Sequence, residues 1–223
     1  MNTKTFRQIT GILICLIFAT FAKAESGSPT EAANNSSNSE KVAPMTQPNP
    51  PKDVNVVNSV DLVKYMGKWH EIALIPQFFQ RQCVKDTTAE YTMLENGVVK
   101  VFNSCTKEDG ERSASEGRAR VVDSKTNAKL EVTFVRLFDW IYLFGGDYWV
   151  IQLDPDYGYA VVGHPTRKYG WILSRTPSLT NETLKKIAAG LTDQGYDLCQ
   201  FMTSPQSGGI TEKKSLCDYL KNP

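Results

Sequence analysis

Gly67-Lys68-Trp69 and, about a hundred residues on, Trp171-Ile172-Leu173-Ser174-Arg175-Thr176-Pro177 are the stretches whose reading decides the fold. A glycine, a tryptophan two residues later and a distant arginine closing the last apolar strand suit a barrel with a sealed floor. There an indole would lie under a stacked guanidinium. Trp offers a cation the best aromatic face, and a desolvated pair of this kind contributes about 2 kcal/mol. Gly67, Trp69 and Arg175 are therefore read as structural floor residues. A sealed floor implies an open mouth, and an open mouth implies a cavity for an apolar guest.

Outward from Trp69 the chain runs as short segments with period-two patterning, separated by turn signals. Strands are expected at Gly67–Leu74, Thr88–Leu94, Val98–Cys105, Ser113–Val122, Ala128–Val135, Tyr148–Leu153, Tyr159–His164 and Gly170–Ser174. Glu95-Asn96-Gly97, Ser124-Lys125-Thr126-Asn127 and Asp154-Pro155-Asp156-Tyr157-Gly158 read as tight turns, the Asn-Gly pair being able to take positive φ. Eight antiparallel strands of this length can close up-and-down, which removes exposed edges. The interior then holds side chains or one small ligand. A helix follows. Thr180-Asn181-Glu182 supplies its cap and acidic first turn, Leu184, Ile187, Ala188 and Leu191 share one face, and Gly195 ends it. The fold class is all-β with one α-helix, an eight-stranded antiparallel barrel with the helix packed outside.

The ends of the chain read differently. Lys4 and Arg7, the apolar run Ile9 to Phe21 and Ala22-Lys23-Ala24 form an export signal cleaved after Ala24. Cys15 lies inside the run, but Ile14 stands where lipoprotein processing needs a small residue. Removing residues 1–24 takes away three positive charges and no negative ones, so the formal net charge goes from +1 to −2. No Lys/Arg stripe is present, which argues against nucleic acid as a partner. Residues 25–52, rich in Ser, Asn, Pro, Glu and Ala and without an aromatic residue, read as a disordered linker. The barrel domain is expected over 53–203 and a C-terminal extension over 204–223.

Four cysteines remain after processing: Cys83, Cys105, Cys199 and Cys217. An even count in an exported chain points to disulfides. Metal binding is disfavoured, since there is no C-x-x-C and His70 and His164 are the only histidines. Pairing Cys83 with Cys105 and Cys199 with Cys217 closes two local loops, each bridge contributing roughly 3 kcal/mol. A pairing that ties Cys199 or Cys217 to the barrel stays open.

Gly67-Lys68-Trp69-His70-Glu71-Ile72-Ala73 resembles the first signature of the lipocalins. Asp154-Pro155-Asp156-Tyr157 with Tyr159-Ala160-Val161-Val162 resembles the second, and Trp171 to Pro177 the third. The likeness covers about Val54 to Phe201 and is strongest to bacterial lipocalins of the outer-membrane lipoprotein type and to apolipoprotein D. It implies a carrier of fatty acids, lysophospholipids or similar amphiphiles. The poor lipobox departs from the bacterial type and argues against a membrane anchor. The implied location is export to a periplasm or beyond the cell, with outer-membrane association as the variant.

The family pattern, with strand alternation, turns Ala89, Tyr91, Val101, Asn103, Val132, Phe134, Tyr148, Val150, Val162 and Trp171 inward as ligand-binding candidates. Such a wall suits an acyl chain, with Tyr91, Asn103 and Tyr148 able to orient a head group. The mouth loops are expected at Pro76–Thr87, Lys107–Glu111, Leu137–Gly146 and Pro165–Tyr169. They carry Phe78, Phe79, Phe138, Trp140, Ile141, Tyr142 and Phe144, either as a lid or membrane-facing surface or as rings that cover one another. No cofactor, metal or catalytic residue is expected. His70 and His164 have no evident sequence partner, and Glu71 reads as a surface ion pair with Arg118 or Arg120, worth about 0–1 kcal/mol. The chain is read as a monomer or dimer whose partner is a small hydrophobic ligand, with membrane contact at the mouth as a second reading.

Overall fold

The computed structural model describes residues 53–221. The export signal and the linker read from the sequence lie outside the described residues. The alternating segments form strands β1 (Gly67–Leu74), β2 (Lys85–Met93), β3 (Val99–Thr106), β4 (Arg112–Val121), β5 (Lys129–Thr133), β6 (Gly146–Leu153), β7 (Tyr159–Gly163) and β8 (Gly170–Ser174). Each pairs antiparallel with the next, and β1 pairs with both β8 and β2, so the eight strands close into a barrel.

The bounds of β1 and β8 match the sequence expectation, while β5 stops two residues early. Its end is set by Thr133, whose Oγ1 donates to the Ile141 carbonyl and accepts from the Val135 amide, turning the chain into the loop. The 95–97 turn assigns positive φ to Gly97 alone (+77°). Leu94 and Val98 pair across it, which makes it a three-residue hairpin ending in a left-handed glycine. In the 154–158 turn, Tyr157 rather than Gly158 takes the left-handed conformation (φ 60°). A tyrosine there costs strain. Its hydroxyl is held by the Asp61 amide at 2.8 Å, so the turn is tied to the segment that crosses the floor.

That segment contains α1 (Leu62–Tyr65), one short turn capped by Asp61, whose Oδ1 accepts from the Val63 and Lys64 amides. After the barrel comes α2 (Asn181–Asp193), capped by Thr180 Oγ1 on the Thr183 amide. Gly195 (φ +77°) ends it: its amide meets the Thr192 carbonyl and the Tyr196 amide meets the Leu191 carbonyl. This is the paired closure that satisfies a helix's last carbonyls.

Period-two alternation produces two apolar layers. The outward residues Ile72, Ala73, Ile151, Tyr159, Val161 and Ile172 pack with Leu184, Ile187 and Leu191 of α2 outside the barrel. Each fully buried aliphatic chain there contributes about 1.5–3 kcal/mol. The inward residues form the second cluster, around Trp69, Tyr91, Val101, Leu130, Val150 and Val162.

Helix α1, the short strand β9 (Met202–Thr203) and helix α3 (Leu216–Lys221) have no counterpart in the sequence reading, nor do three short 3-10 turns at Phe78–Gln80, Tyr142–Phe144 and Leu198–Gln200. β9 pairs with Ala73 and Leu74 at the end of β1. Disulfides join Cys83 to Cys105 and Cys199 to Cys217, the local pairing favoured from the spacing.

Candidate functional site

The floor is built as the sequence suggests. Trp69 has no solvent exposure, and the Arg175 guanidinium lies 3.7 Å from the centre of its ring. Arg175 also donates to the carbonyls of Lys68, Lys64 and Met66 at 2.9, 2.7 and 2.9 Å, while the indole N–H donates to the Tyr65 carbonyl. Gly67 sits at φ +92°, and a Cβ there would lie 3.4 Å from the guanidinium. Glycine is thus required for its backbone angle, at the point where the arginine crosses.

Above the floor, Ala89, Tyr91, Val101, Val132, Tyr148, Val150, Val162 and Trp171 all belong to the inner cluster. Asn103 stands opposite Ala89 on the same face, and its side-chain oxygen is buried without a hydrogen-bond partner. Phe134 continues the inward alternation past β5. It is 46% exposed, with its ring over Gly117, where a Cβ would come within 2.8 Å of it. The structure therefore brings the predicted wall together, with Phe134 at its rim.

Tyr65, which the sequence reading passed over, joins this wall from below. Its hydroxyl lies 2.8 Å from that of Tyr148, which lies 3.0 Å from that of Tyr91. Burial pushes all three phenols up, Tyr91 to about 12, so they are neutral hydrogen-bonding groups. The three line a narrow cavity of about 20 Å³ between the floor helix and the wall. The only signal for Tyr65 in the sequence is its place four residues before Trp69, one helical turn away.

The mouth loops divide into covered and uncovered rings. Trp140 lies under Arg118 (4.6 Å) and Arg136 (5.5 Å), and Tyr142 under Arg120 (4.2 Å). Phe138 is 95%, Leu143 85%, Leu137 72% and Phe144 67% exposed. Phe78 and Phe79 make an edge-to-face pair and both remain exposed. Cys83 ties their loop to Cys105 on β3. Mutual covering of rings thus accounts for only part of the mouth.

Glu71 corrects the sequence reading. It is not a surface partner of Arg118 or Arg120, which pair with Glu116 and Glu131. Its carboxyl is buried, accepting from Ser204 Oγ at 2.7 Å and from Gln80 Nε2 at 2.9 Å. Here β1 and β2 part above His70 and Thr88, and the C-terminal segment fills the gap. The Gln206 amide donates to the carbonyls of Glu71 and Thr87 and faces His70 Nδ1 at 3.1 Å, while Asp86 accepts from the Ser207 amide and hydroxyl. Burial raises the Glu71 carboxyl, with the bonds from Ser204 and Gln80 and the charge of Lys213 opposing it. Sequence alternation carries no signal for this, because the partners lie 133 and 135 residues away.

His164, unpartnered in the sequence reading, has neighbours at the mouth. Its Nε2 is 3.6 Å from Asp147, and its Nδ1 meets the Thr166 amide and hydroxyl in a local turn. Burial lowers it, against the pull of Asp147. Among the described residues no group of three or more His, Cys, Asp or Glu could hold a metal ion.

A family model described as a lipocalin-like domain matches residues 60–206. The chain is 42% identical over 158 residues to temperature-induced lipocalin-1 of Arabidopsis thaliana, covering 70% of this chain and 84% of that protein. It is 38% identical over 168 residues to the outer membrane lipoprotein Blc of Escherichia coli K12, covering 75% and 91%. With apolipoprotein D of Rattus norvegicus it shares 33% identity over 168 residues, covering 72% and 82%.

Proposed function

The chain belongs to the lipocalin family, and from that premise we propose that it binds a small hydrophobic ligand in the barrel and carries or stores it without chemical change. The observation that carries this reading is the apolar inner wall, sealed below by Trp69 and Arg175 and rimmed above by exposed apolar side chains. A fatty acid or lysophospholipid fits: an acyl chain matches the wall, and its charged head group stays at the solvated mouth, where it avoids the cost of burying an unpaired ion. The contacts we propose are Ala89, Tyr91, Val101, Asn103, Val132, Phe134, Tyr148, Val150, Val162 and Trp171. The amino-terminal signal pattern, and the likeness to an outer membrane lipoprotein of Escherichia coli, support export and a place in the cell envelope, where we propose that it handles lipid.

The test is to purify the processed chain from its host, extract it with organic solvent and identify what is released by mass spectrometry. A recurrent fatty acid or lysolipid supports the carrier reading. Absence of lipid, together with no quenching of tryptophan fluorescence by added fatty acids, overturns it. A second reading, membrane docking through the mouth, rests on the uncovered Leu137, Phe138, Leu143 and Phe144. Tight liposome binding without lipid uptake would favour it.

A further inference from the structure

A second pocket, of about 80 Å³, lies between the Pro76–Thr87 loop and the C-terminal segment, where β1 and β2 part. It shares none of the contact positions proposed above for the inner wall. Glu71, Gln80, Ser204 and the cations Arg81, Lys85 and Lys213 are among the residues that line it. One water needs roughly 10–15 Å³ of such space, so the pocket has room for about five waters or for one tetrahedral oxyanion.

The pocket carries an excess of positive charge. Among the described residues, none of Arg81, Lys85 and Lys213 makes an ion pair or a side-chain hydrogen bond, whereas Lys107, Arg118, Arg120, Lys214 and Lys221 are all paired. Two acids stand nearby, and neither cancels the three cations. Asp86 feels the charge of Lys85, but its carboxylate accepts from the amide and hydroxyl of Ser207. Glu71 feels Lys213, but burial holds it toward its neutral form, and its two oxygens accept from Ser204 and Gln80. The pocket also lacks a hydrogen-bond donor. The Gln80 amide nitrogen donates to Glu71, and its oxygen is buried without a partner. Buried acceptors in folded proteins are nearly always satisfied. Gln80 as a whole is only half-buried, so a small turn of its side chain presents that oxygen to the pocket. We infer that this pocket binds a phosphate group that still holds a proton: its oxygens meet Arg81, Lys85 and Lys213, and its P–OH donates to Gln80 Oε1. A phosphate monoester loses its second proton only near pH 6, so one group supplies both the charge and the donor. A carboxylate or a sulfate supplies charge alone. The site stands apart from the inner wall and does not depend on the carrier reading.

The experiment titrates inorganic phosphate and sulfate into the processed chain by calorimetry, at low salt and about pH 6, where phosphate still holds a proton. Phosphate is expected to bind roughly fivefold more tightly, the effect of one net hydrogen bond, although sulfate carries the greater charge. Arg81→Gln with Lys213→Gln should weaken both anions several-fold, and added salt should do the same. Gln80→Leu should remove the preference for phosphate while both anions still bind, with Gln80→Met as the second variant should the first fail to fold, judged by circular dichroism. Equal affinity for the two anions, or affinities that the charge variant leaves unchanged, overturns the inference. Two lipids, 1-hexadecanoylglycerol 3-phosphate and 1-hexadecanoylglycerol, then identify the source of the phosphate. A gain in affinity from the phosphate that disappears in the charge variant supports a lipid head group at this site. Equal binding of the two lipids, with inorganic phosphate still bound, supports the free ion. Binding of inorganic phosphate but of neither lipid counts against the carrier reading and leaves this site standing.

Discussion

The floor and the mouth of this barrel use the same pairing of ring and guanidinium to opposite ends. At the floor Arg175 covers the fully buried Trp69 and is itself held by three backbone carbonyls, so the pair is fixed in place although the guanidinium is only half-buried. At the mouth Arg118 and Arg120, on the outer wall of β4, cover Trp140 and Tyr142, while Phe138 and Phe144 beside them stay in solvent. An aromatic ring whose cation is also bound to backbone becomes part of the fold. One left uncovered on a loop is available for contact with something else.

The largest effect expected from this contrast is at the floor. Trp69→Ala should cost about 3–5 kcal/mol, as other large core truncations do. Urea unfolding followed by circular dichroism measures it, and a loss under 1 kcal/mol would mean that the floor does not hold the barrel shut.

Next comes Glu71, midway between the two ends. Its carboxyl is raised when folded, so the native state holds a proton that the unfolded chain releases. Stability from this group is therefore fully present below the ordinary carboxyl range and is lost as pH rises through the folded value. The urea midpoint of the parent should fall across that window, and Glu71→Gln should flatten the fall. Glu71→Ala should cost about 1–3 kcal/mol at acid pH, because Ser204 and Gln80 lose their acceptor. A variant with the parent's pH profile would show that Glu71 does not control it.

At the rim, Phe134→Arg should abolish fatty acid binding and preserve the far-ultraviolet strand signal. Loss of that signal would place Phe134 in the fold rather than the site. The smallest effect on stability belongs to the uncovered rings. Phe138→Ser with Phe144→Ser should shift unfolding by no more than about 0.5 kcal/mol, yet reduce liposome sedimentation several-fold if the mouth touches membranes. A large drop in stability would erase the contrast between the two ends.

The two ends also differed in how far they could be read in advance. Gly67, Trp69 and Arg175 were legible because their spacing marks strand ends, and a Trp there has few other uses. The wall was legible through alternation, which runs unbroken from Ala89 to Tyr91 and from Val101 to Asn103. Glu71 was misread for the same reason: alternation says which face a residue takes but not what covers that face. The β1 register also shifts between Glu71 and Ala73, where the alternation breaks.

By itself, then, the sequence determined the eight barrel strands, the turns between them and the amphipathic helix, because each depends on residues within a few positions of one another. Tertiary structure alone decided that Tyr65 rises into the barrel to meet Tyr148, 83 residues away, and that Ser204 and Gln206 fill the gap beside Glu71. Those partners meet only after the barrel has closed, and no local pattern of hydrophobicity or turn chemistry encodes which distant polar groups will then stand within hydrogen-bonding reach.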